Sequence, residues 1–329
     1  MTDVIIISTK PEKKASYYAQ ILSGQTVSPE RLILVRAPME NAGKGGFSAQ
    51  DGQEERDEGT GIPCVAIGAR ENAPGYLLTL GIRASSSESL LFLHEDVTAL
   101  SPGLIEKLTE AVREGAGMAF SRTVPGKPAV RIRDAYQAFY NPETSELRTE
   151  ETLFRKGFLQ FVTGDSAVMV TRDALERSGG FPLEMLVSPF SMTAAEVFYE
   201  KKALFYEAEE TAVREPESAS LKAVFHNAFD LAAGMQAYSQ TFGLYHKYYF
   251  KDKKKHKHPV ILMSRPAMYT KKLFFSARML SKAGRPYKVP GLVFLYLTEL
   301  LADLLGNKFQ LLPVKLSRAF SGQRAWFSD

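Results

Sequence analysis

The residues with the most chemistry to offer stand at the end of an apolar run. Leu90-Leu91-Phe92-Leu93 passes without a break into His94-Glu95-Asp96, before Val97. An uninterrupted apolar run predicts a strand buried on both faces, as inside a parallel sheet. In open α/β sheets, ligands bind at the carboxyl ends of such strands. In an extended chain His94 and Asp96 point to one face and Glu95 to the other. The same three residues also suit a polar turn that merely closes a strand, and both readings stand at this point. His226 and Asp230, spaced i, i+4, can present a metal pair on one helix face. No third ligand is evident, which favours local packing or bonding. His256 and His258 fall in a lysine run and read as solvated.

The elements that must position these residues alternate between strand and helix. Val4 to Thr9 predicts a buried first strand, and Lys13 to Leu22 a helix with Tyr17, Ile21 and Leu22 on one side. Arg31 to Val35 is a second strand. Ala37 to Gly61, rich in Gly, Gln and Glu and without periodicity, predicts a surface loop. Ile62 to Ile67 and Leu90 to Leu93 are strands, each followed by a helix, Gly75 to Ser85 and Pro102 to Arg113. This alternation predicts a doubly wound, mostly parallel α/β sheet. Gly117 to Val124 resumes it, Pro125 to Arg155 reads as loops, and Phe158 to Val170 as strand, turn and strand bent at Thr163–Ser166. A short helix from Arg172 to Ser178 closes at Gly179-Gly180. Ser191 or Thr193 caps a helix through Lys202, and Leu204 to Tyr206 is strand-like. From Leu221 the texture is helical, which predicts an α/β domain over 1–215 and a basic, amphipathic helical extension over 216–329.

Composition narrows the classes. The 329 residues are 45% hydrophobic and 24% charged, an ordinary globular balance with room for a full core. A single cysteine, Cys64, excludes an internal disulfide framework and fits a reducing compartment. The start lacks a signal-peptide pattern. Val289 to Leu305, the most apolar stretch, is interrupted by Glu299 and Asp303, so a cytoplasmic location is expected. No Gly-x-Gly-x-x-Gly turn follows the first strand, and there is no Gly-Lys-Ser or Gly-Lys-Thr phosphate loop. The net charge of +4 is uneven: twelve Lys or Arg residues and one acid, Asp252, lie between Lys251 and Lys288. Such a tract suits anionic lipid, nucleic acid or a plainly solvated face. No nucleic-acid module accompanies it, so nucleic acid is not expected as a partner.

The order of elements resembles that of family 2 nucleotide-sugar glycosyltransferases, which have the GT-A fold. Asn72-Ala-Pro-Gly75 followed by Gly81-Ile82 is similar to that family's segment beside the nucleotide. Leu90 to Val97 sits where the family has its Asp-x-Asp strand end. Thr163-Gly164 through Gly179-Gly180-Phe181-Pro182 resembles the segment that ends in Gly-Gly-Phe-Asp-Glu. Ala195 to Glu200 falls where the family has its catalytic acid. Ser220-Leu221, Phe225 to Gly234, and the closing Leu305-Gly306, Leu312-Pro313, Leu316, Ser321 and Trp326 are similar to bacterial rhamnosyltransferases of polysaccharide synthesis.

The resemblance implies inverting transfer of a sugar, rhamnose being one candidate, from a nucleoside diphosphate to a saccharide or lipid-linked acceptor in cell-surface polysaccharide synthesis. A carboxylate must take the acceptor's proton, and the departing diphosphate must be stabilised, usually by Mg²⁺ or Mn²⁺. Carried over, Glu196 is the catalytic base. Thr9, Asn72, Gly75, His94, Glu95 and Asp96 meet the donor, and Asp96 with His94 holds the metal. Gly164 and Asp165 meet the acceptor, though an Asp after Gly also suits an ordinary turn.

The chain departs from the pattern in four places. His94 replaces the first Asp of the metal motif, Arg36 an acid after the second strand, and Thr79 the second Asn. Arg214-Glu215-Pro216 stands where a His often completes the metal site. Arg36 or Arg214 can neutralise a diphosphate without metal. These departures motivate an alternative, a degenerate relative that binds a nucleotide sugar or glycan without turnover. A lipid-linked acceptor would suit a peripheral position on the inner membrane face through 251–288. Leu273, Phe274 and Phe275 can equally pack on the first domain or on a partner subunit in a homo-oligomer.

Overall fold

The computed structural model describes residues 2–9, 13–38, 53–56, 60–70, 72–126, 132–183, 189–201, 203–215, 220–242 and 265–327. In chain order these form β1 (Thr2–Ser8), α1 (Ala15–Leu22), β2 (Arg31–Arg36), β3 (Gln53–Arg56), β4 (Pro63–Gly68), α2 (Pro74–Ala84), β5 (Ser89–His94), β6 (Val97–Leu100), α3 (Leu104–Arg113) and β7 (Met118–Pro125). There follow α4 (Ile132–Gln137), β8 (Glu146–Arg148), α5 (Glu150–Lys156), β9 (Ala167–Thr171), α6 (Arg172–Arg177), α7 (Pro189–Lys201) and β10 (Leu204–Arg214). The remaining helices are α8 (Leu221–Phe242), α9 (Arg265–Lys282), α10 (Val289–Gly306) and α11 (Val314–Phe320).

The strands make one mixed sheet in the order β3-β4-β2-β1-β5-β9-β7-β10-β6, with β8 also on β10. β1, β2, β4, β5, β7 and β10 run one way, so the sheet is mostly parallel. The unbroken apolar run in β5 follows from burial on both faces. Leu90 and Phe92 enter one core with Phe181 and Phe190, while Leu91 and Leu93 enter the other with Ile105 and Leu108. Each such side chain contributes about 2 kcal/mol by leaving water. β1 divides in the same way, Ile5 to one core and Val4 and Ile6 to the other.

Several sequence expectations change. Gln53–Arg56, inside the expected loop, pairs antiparallel with β4; most of that loop, His256, His258 and the tract through Ser264 lie outside the described residues. Residues 157–160 form a 3-10 turn rather than a strand. Buried Arg148 explains this: its Nη1 donates to the carbonyls of Leu159, Gln160 and Val162, at 3.3, 2.9 and 2.9 Å, replacing a strand ladder. α7 begins at Pro189, so Ser191 and Thr193 lie within the helix and do not cap it. The stretch read as loops between Pro125 and Arg155 contains α4, β8 and α5. α4 was illegible because it is only six residues long and its Ala135 and Tyr136 pack on α8, α9 and α10.

A buried ion pair ties those helices together. Lys272 on α9 donates to both Glu299 oxygens on α10 at 3.1 Å and sits 3.6 Å from the ring centroid of Tyr136. Burial, and then the charge of Glu299, hold the Tyr136 hydroxyl protonated. By length and composition alone, Pro286–Gly306 is long and apolar enough to cross a bilayer, although Glu299 and Asp303 interrupt it.

The His226–Asp230 pair serves the chain itself. Asp230 is buried, and its Oδ2 accepts the Gly322 N–H at 2.9 Å, which ties the C-terminal segment to α8. Its Oδ1 makes no hydrogen bond. Burial raises the Asp230 pKa despite the hydrogen bonds that oppose the shift, so the folded state binds this proton more readily than the unfolded chain. Stability from this group is therefore lost as pH rises through the carboxylate range, and the penalty is full at neutral pH. Asp230→Asn, which keeps the acceptor without the charge, is expected to raise Tm at pH 7, with the gain shrinking as pH falls through the raised folded-state value and gone once the ordinary carboxylate value is reached. Asp230→Ala is expected to lower Tm at both ends of that range.

Candidate functional site

The register of the central strands builds the site. Ile7 of β1 stands beside His94 of β5, so Ser8 and Thr9 continue alongside Glu95. Glu95 is buried and turned inward: the Thr9 N–H donates to its Oε2 at 2.7 Å and the Thr9 hydroxyl to Oε1 at 2.5 Å. Its backbone carbonyl accepts Lys13 Nζ at 2.9 Å and the Tyr18 hydroxyl at 3.1 Å. Burial, and then the Glu95 charge, keep that phenol protonated. Thr9 and Glu95, expected at the donor, therefore brace the two strand ends against each other.

The chain then turns at Glu95 and Asp96 into β6, which pairs with β10 in such a way that Arg214 stands opposite Val97. This brings Arg214 Nη2 to 2.8 Å from His94 Nε2. His94 Nδ1 accepts the backbone N–H of Asp96 at 3.1 Å, which requires a lone pair on that nitrogen. The Asp96 carboxylate lies 3.8 Å from Lys13 Nζ and 3.9 Å from His94 Nδ1. Arg36 ends β2 beside Ser8. The side chains of Lys13 and Arg214 thus flank the strand ends from two sides of the chain turn.

His94 does not fit a divalent cation. A guanidinium already faces one ring nitrogen of His94 and an N–H the other, and a cation there would meet the Arg214 charge. Asp96 offers a single carboxylate, and Mg²⁺ takes one or two of these with phosphate oxygens and water. Among the described residues, no group of three or more His, Cys, Asp or Glu side chains is arranged to hold a metal. The set fits an anion better, with Lys13 and Arg214 as its cations.

The remaining predicted residues are distributed around this centre. Asn72 is exposed just before α2. Gly75 is a packing position, because a Cβ there would fall 2.7 Å from the Pro182 carbonyl oxygen. Thr79, in place of the family's Asn, donates to the Gly75 carbonyl within its own helix. Gly164 lies against β7, where a Cβ would stand 3.1 Å from the Ser121 oxygen. The next turn residue but one, Ser166, accepts the His94 N–H at 3.1 Å through its carbonyl and the Thr123 hydroxyl at 2.8 Å through its own. Asp165 is therefore a close chain neighbour of the strand-end cluster. Glu196 lies midway along α7, half-buried, next to Val197. A Cβ on Gly117, at the amino end of β7, would meet a Val197 methyl at 2.4 Å, so Glu196 stands nearer the end of the sheet opposite His94. Lys13 and Tyr18 were missed in the sequence; the available signal was a lysine in the connection leaving the first strand.

No family model matches the sequence, and no curated protein matches it. Among solved structures, S. aureus TarS 1–349 is similar over 94% of this chain and 91% of that one, at 10% identity and a TM-score of 0.46. The mannosyltransferase PcManGT from Pyrobaculum calidifontis, in complex with GDP-Man and Mn²⁺, is similar over 99% and 84%, at 14% identity and 0.48. A mycobacterial protein is similar over 72% and 74%, at 13% identity and 0.47. Likeness at this level fixes no residue correspondence.

The brace is testable without a ligand. Glu95→Ala leaves the Thr9 N–H and hydroxyl without their acceptor, and is expected to cost about 2 kcal/mol in urea unfolding. Glu95→Gln, which keeps one carbonyl oxygen, is expected to cost less.

Proposed function

We propose that this chain is a GT-A-type glycosyltransferase that moves a sugar, with inversion, from a nucleoside diphosphate to a saccharide or lipid-linked hydroxyl. The observation that carries this reading is the meeting of Lys13, His94, Asp96 and Arg214 at the carboxyl ends of β1 and β5. Strand ends of this kind take ligands in α/β sheets, and the cations suit a diphosphate. The sequence likeness of residues 220–234 and 305–326 to rhamnosyltransferases supports a deoxyhexose donor and a role in cell-surface polysaccharide synthesis.

In this reading Lys13 and Arg214 offer N–H donors to the diphosphate and take up the charge that grows on it as the glycosidic bond breaks. Asp96 steadies Lys13, and the Glu95 brace holds both in place before the donor arrives. Two carboxylates compete to accept the acceptor's proton. Asp165 is favoured by its closeness in the chain to Ser166 and hence to His94, while Glu196 keeps the role implied by family resemblance. A protein that binds the donor without turnover is the second reading, favoured by the engagement of His94 with Arg214.

Nucleoside diphosphate release, measured across a panel of nucleotide sugars with and without EDTA, tests this. Release is expected with at least one donor and is expected to survive EDTA. Lys13→Ala and Arg214→Ala are each expected to lower kcat/KM by about a hundredfold, on the order of 3 kcal/mol. Asp165→Asn is expected to abolish turnover while donor binding persists. If Glu196→Gln does so instead, the base is Glu196. Binding without release in the wild type establishes the second reading.

A further inference from the structure

The C-terminal helices present an apolar face to solvent. On α10, Val293, Phe294, Leu297, Leu301 and Leu304 are exposed, Phe294 by 66% and Leu301 by 54%. At 100° per residue these five positions fall within a single stripe of the helix. Leu311, just beyond α10, is 80% exposed, and Val314 and Leu316 on α11 are exposed as well. Contiguous apolar surface of this kind marks an interaction site.

The charges that these helices themselves expose all have one sign. Residues 265–327 contain two acids, and both are turned into the fold: Glu299 pairs with buried Lys272, and Asp303 is 4% exposed. The exposed charged side chains there are basic, Lys308, Lys315 and Arg318 among them.

We propose that this face docks on an anionic lipid bilayer, with the stripe of α10 at the acyl boundary and the lysines and arginines at headgroup level. A second copy is a poor occupant, because it would bring the same basic set against itself. The helix lies on the membrane and does not cross it, because its other side is built into the fold. Leu292 and Leu295 are buried with Val224 and Leu280, and at Gly306 a Cβ would fall 2.4 Å from the Phe229 carbonyl oxygen of α8. This surface differs from the tract at 251–264 and does not depend on the chemistry assigned to the strand ends.

Vesicle flotation of the full chain tests it. The protein is expected to float with phosphatidylcholine vesicles containing phosphatidylglycerol and not with phosphatidylcholine alone. The variants Leu297→Glu/Leu301→Glu and Lys308→Glu/Lys315→Glu/Arg318→Glu are each expected to lower the bound fraction by about tenfold or more, with unchanged circular dichroism melting. Flotation undiminished in both variants, or absent with both vesicles, overturns the proposal. A concentration-dependent dimer in sedimentation velocity that is lost in Leu297→Glu/Leu301→Glu assigns the face to a second copy and overturns it too.

Discussion

The candidate site depends on one buried carboxylate. Glu95 stands where the chain must leave β5, at the centre of the sheet, and reappear as β6 at its far edge beside β10. A turn across that distance needs a fixed start. Thr9 supplies it by donating both its backbone N–H and its hydroxyl to Glu95, while Lys13 and Tyr18 hold the Glu95 carbonyl. A buried charge is tolerated only when hydrogen bonds compensate its desolvation, and here those bonds come from the neighbouring strand end. The same contacts therefore satisfy the carboxylate and align the residues around it. His94 and Asp96, on either side, inherit their positions from it.

Much of the fold was legible because burial leaves a pattern. The apolar runs of β1, β2 and β5 and the amphipathic face of α3 were read with nearly their observed bounds, and the strand-end location of His94–Asp96 followed from them. What was illegible depends on contacts distant in sequence. The 3-10 turn at 157–160 exists because Arg148 collects its carbonyls. The antiparallel β9, inserted between β5 and β7, has the composition of any buried strand, and nothing local states its direction. α4 is helical because helices more than eighty residues later cover it. At the site, the acid pair and Arg214 were visible as types, but Lys13 was not, since one lysine in a connection carries no periodic signal. Glu95 turns inward because it leaves the strand beside Thr9, whose N–H and hydroxyl hold its carboxylate.

The two halves of the chain handle charge differently. At the strand ends acids and bases alternate in space, with Asp96 beside Lys13 and His94 beside Arg214. In the C-terminal helices the acids are drawn inward, Glu299 to Lys272 and Asp303 into the packing, and the surface keeps only the bases. Burying a lysine between two tyrosine rings and a carboxylate is costly unless every partner is in place. That cluster makes the junction of α4, α9 and α10 sensitive to the loss of any one member.

The pairing of β6 with β10 has a consequence for how the protein is made. His94 and Arg214 are 120 residues apart, and β6 gains its ladder partner only when β10 arrives. On the ribosome, the segment from 97 to 100 must wait, with its backbone groups hydrated, while the whole of α3 through α7 is synthesised. Chains that close loops of this length fold slowly and expose strand edges meanwhile. The meeting of His94 with Arg214 therefore comes late, as one of the last events of sheet assembly. Under the proposed function, a nucleotide held there would select chains in which β1, β5, β10 and β6 have already joined one sheet.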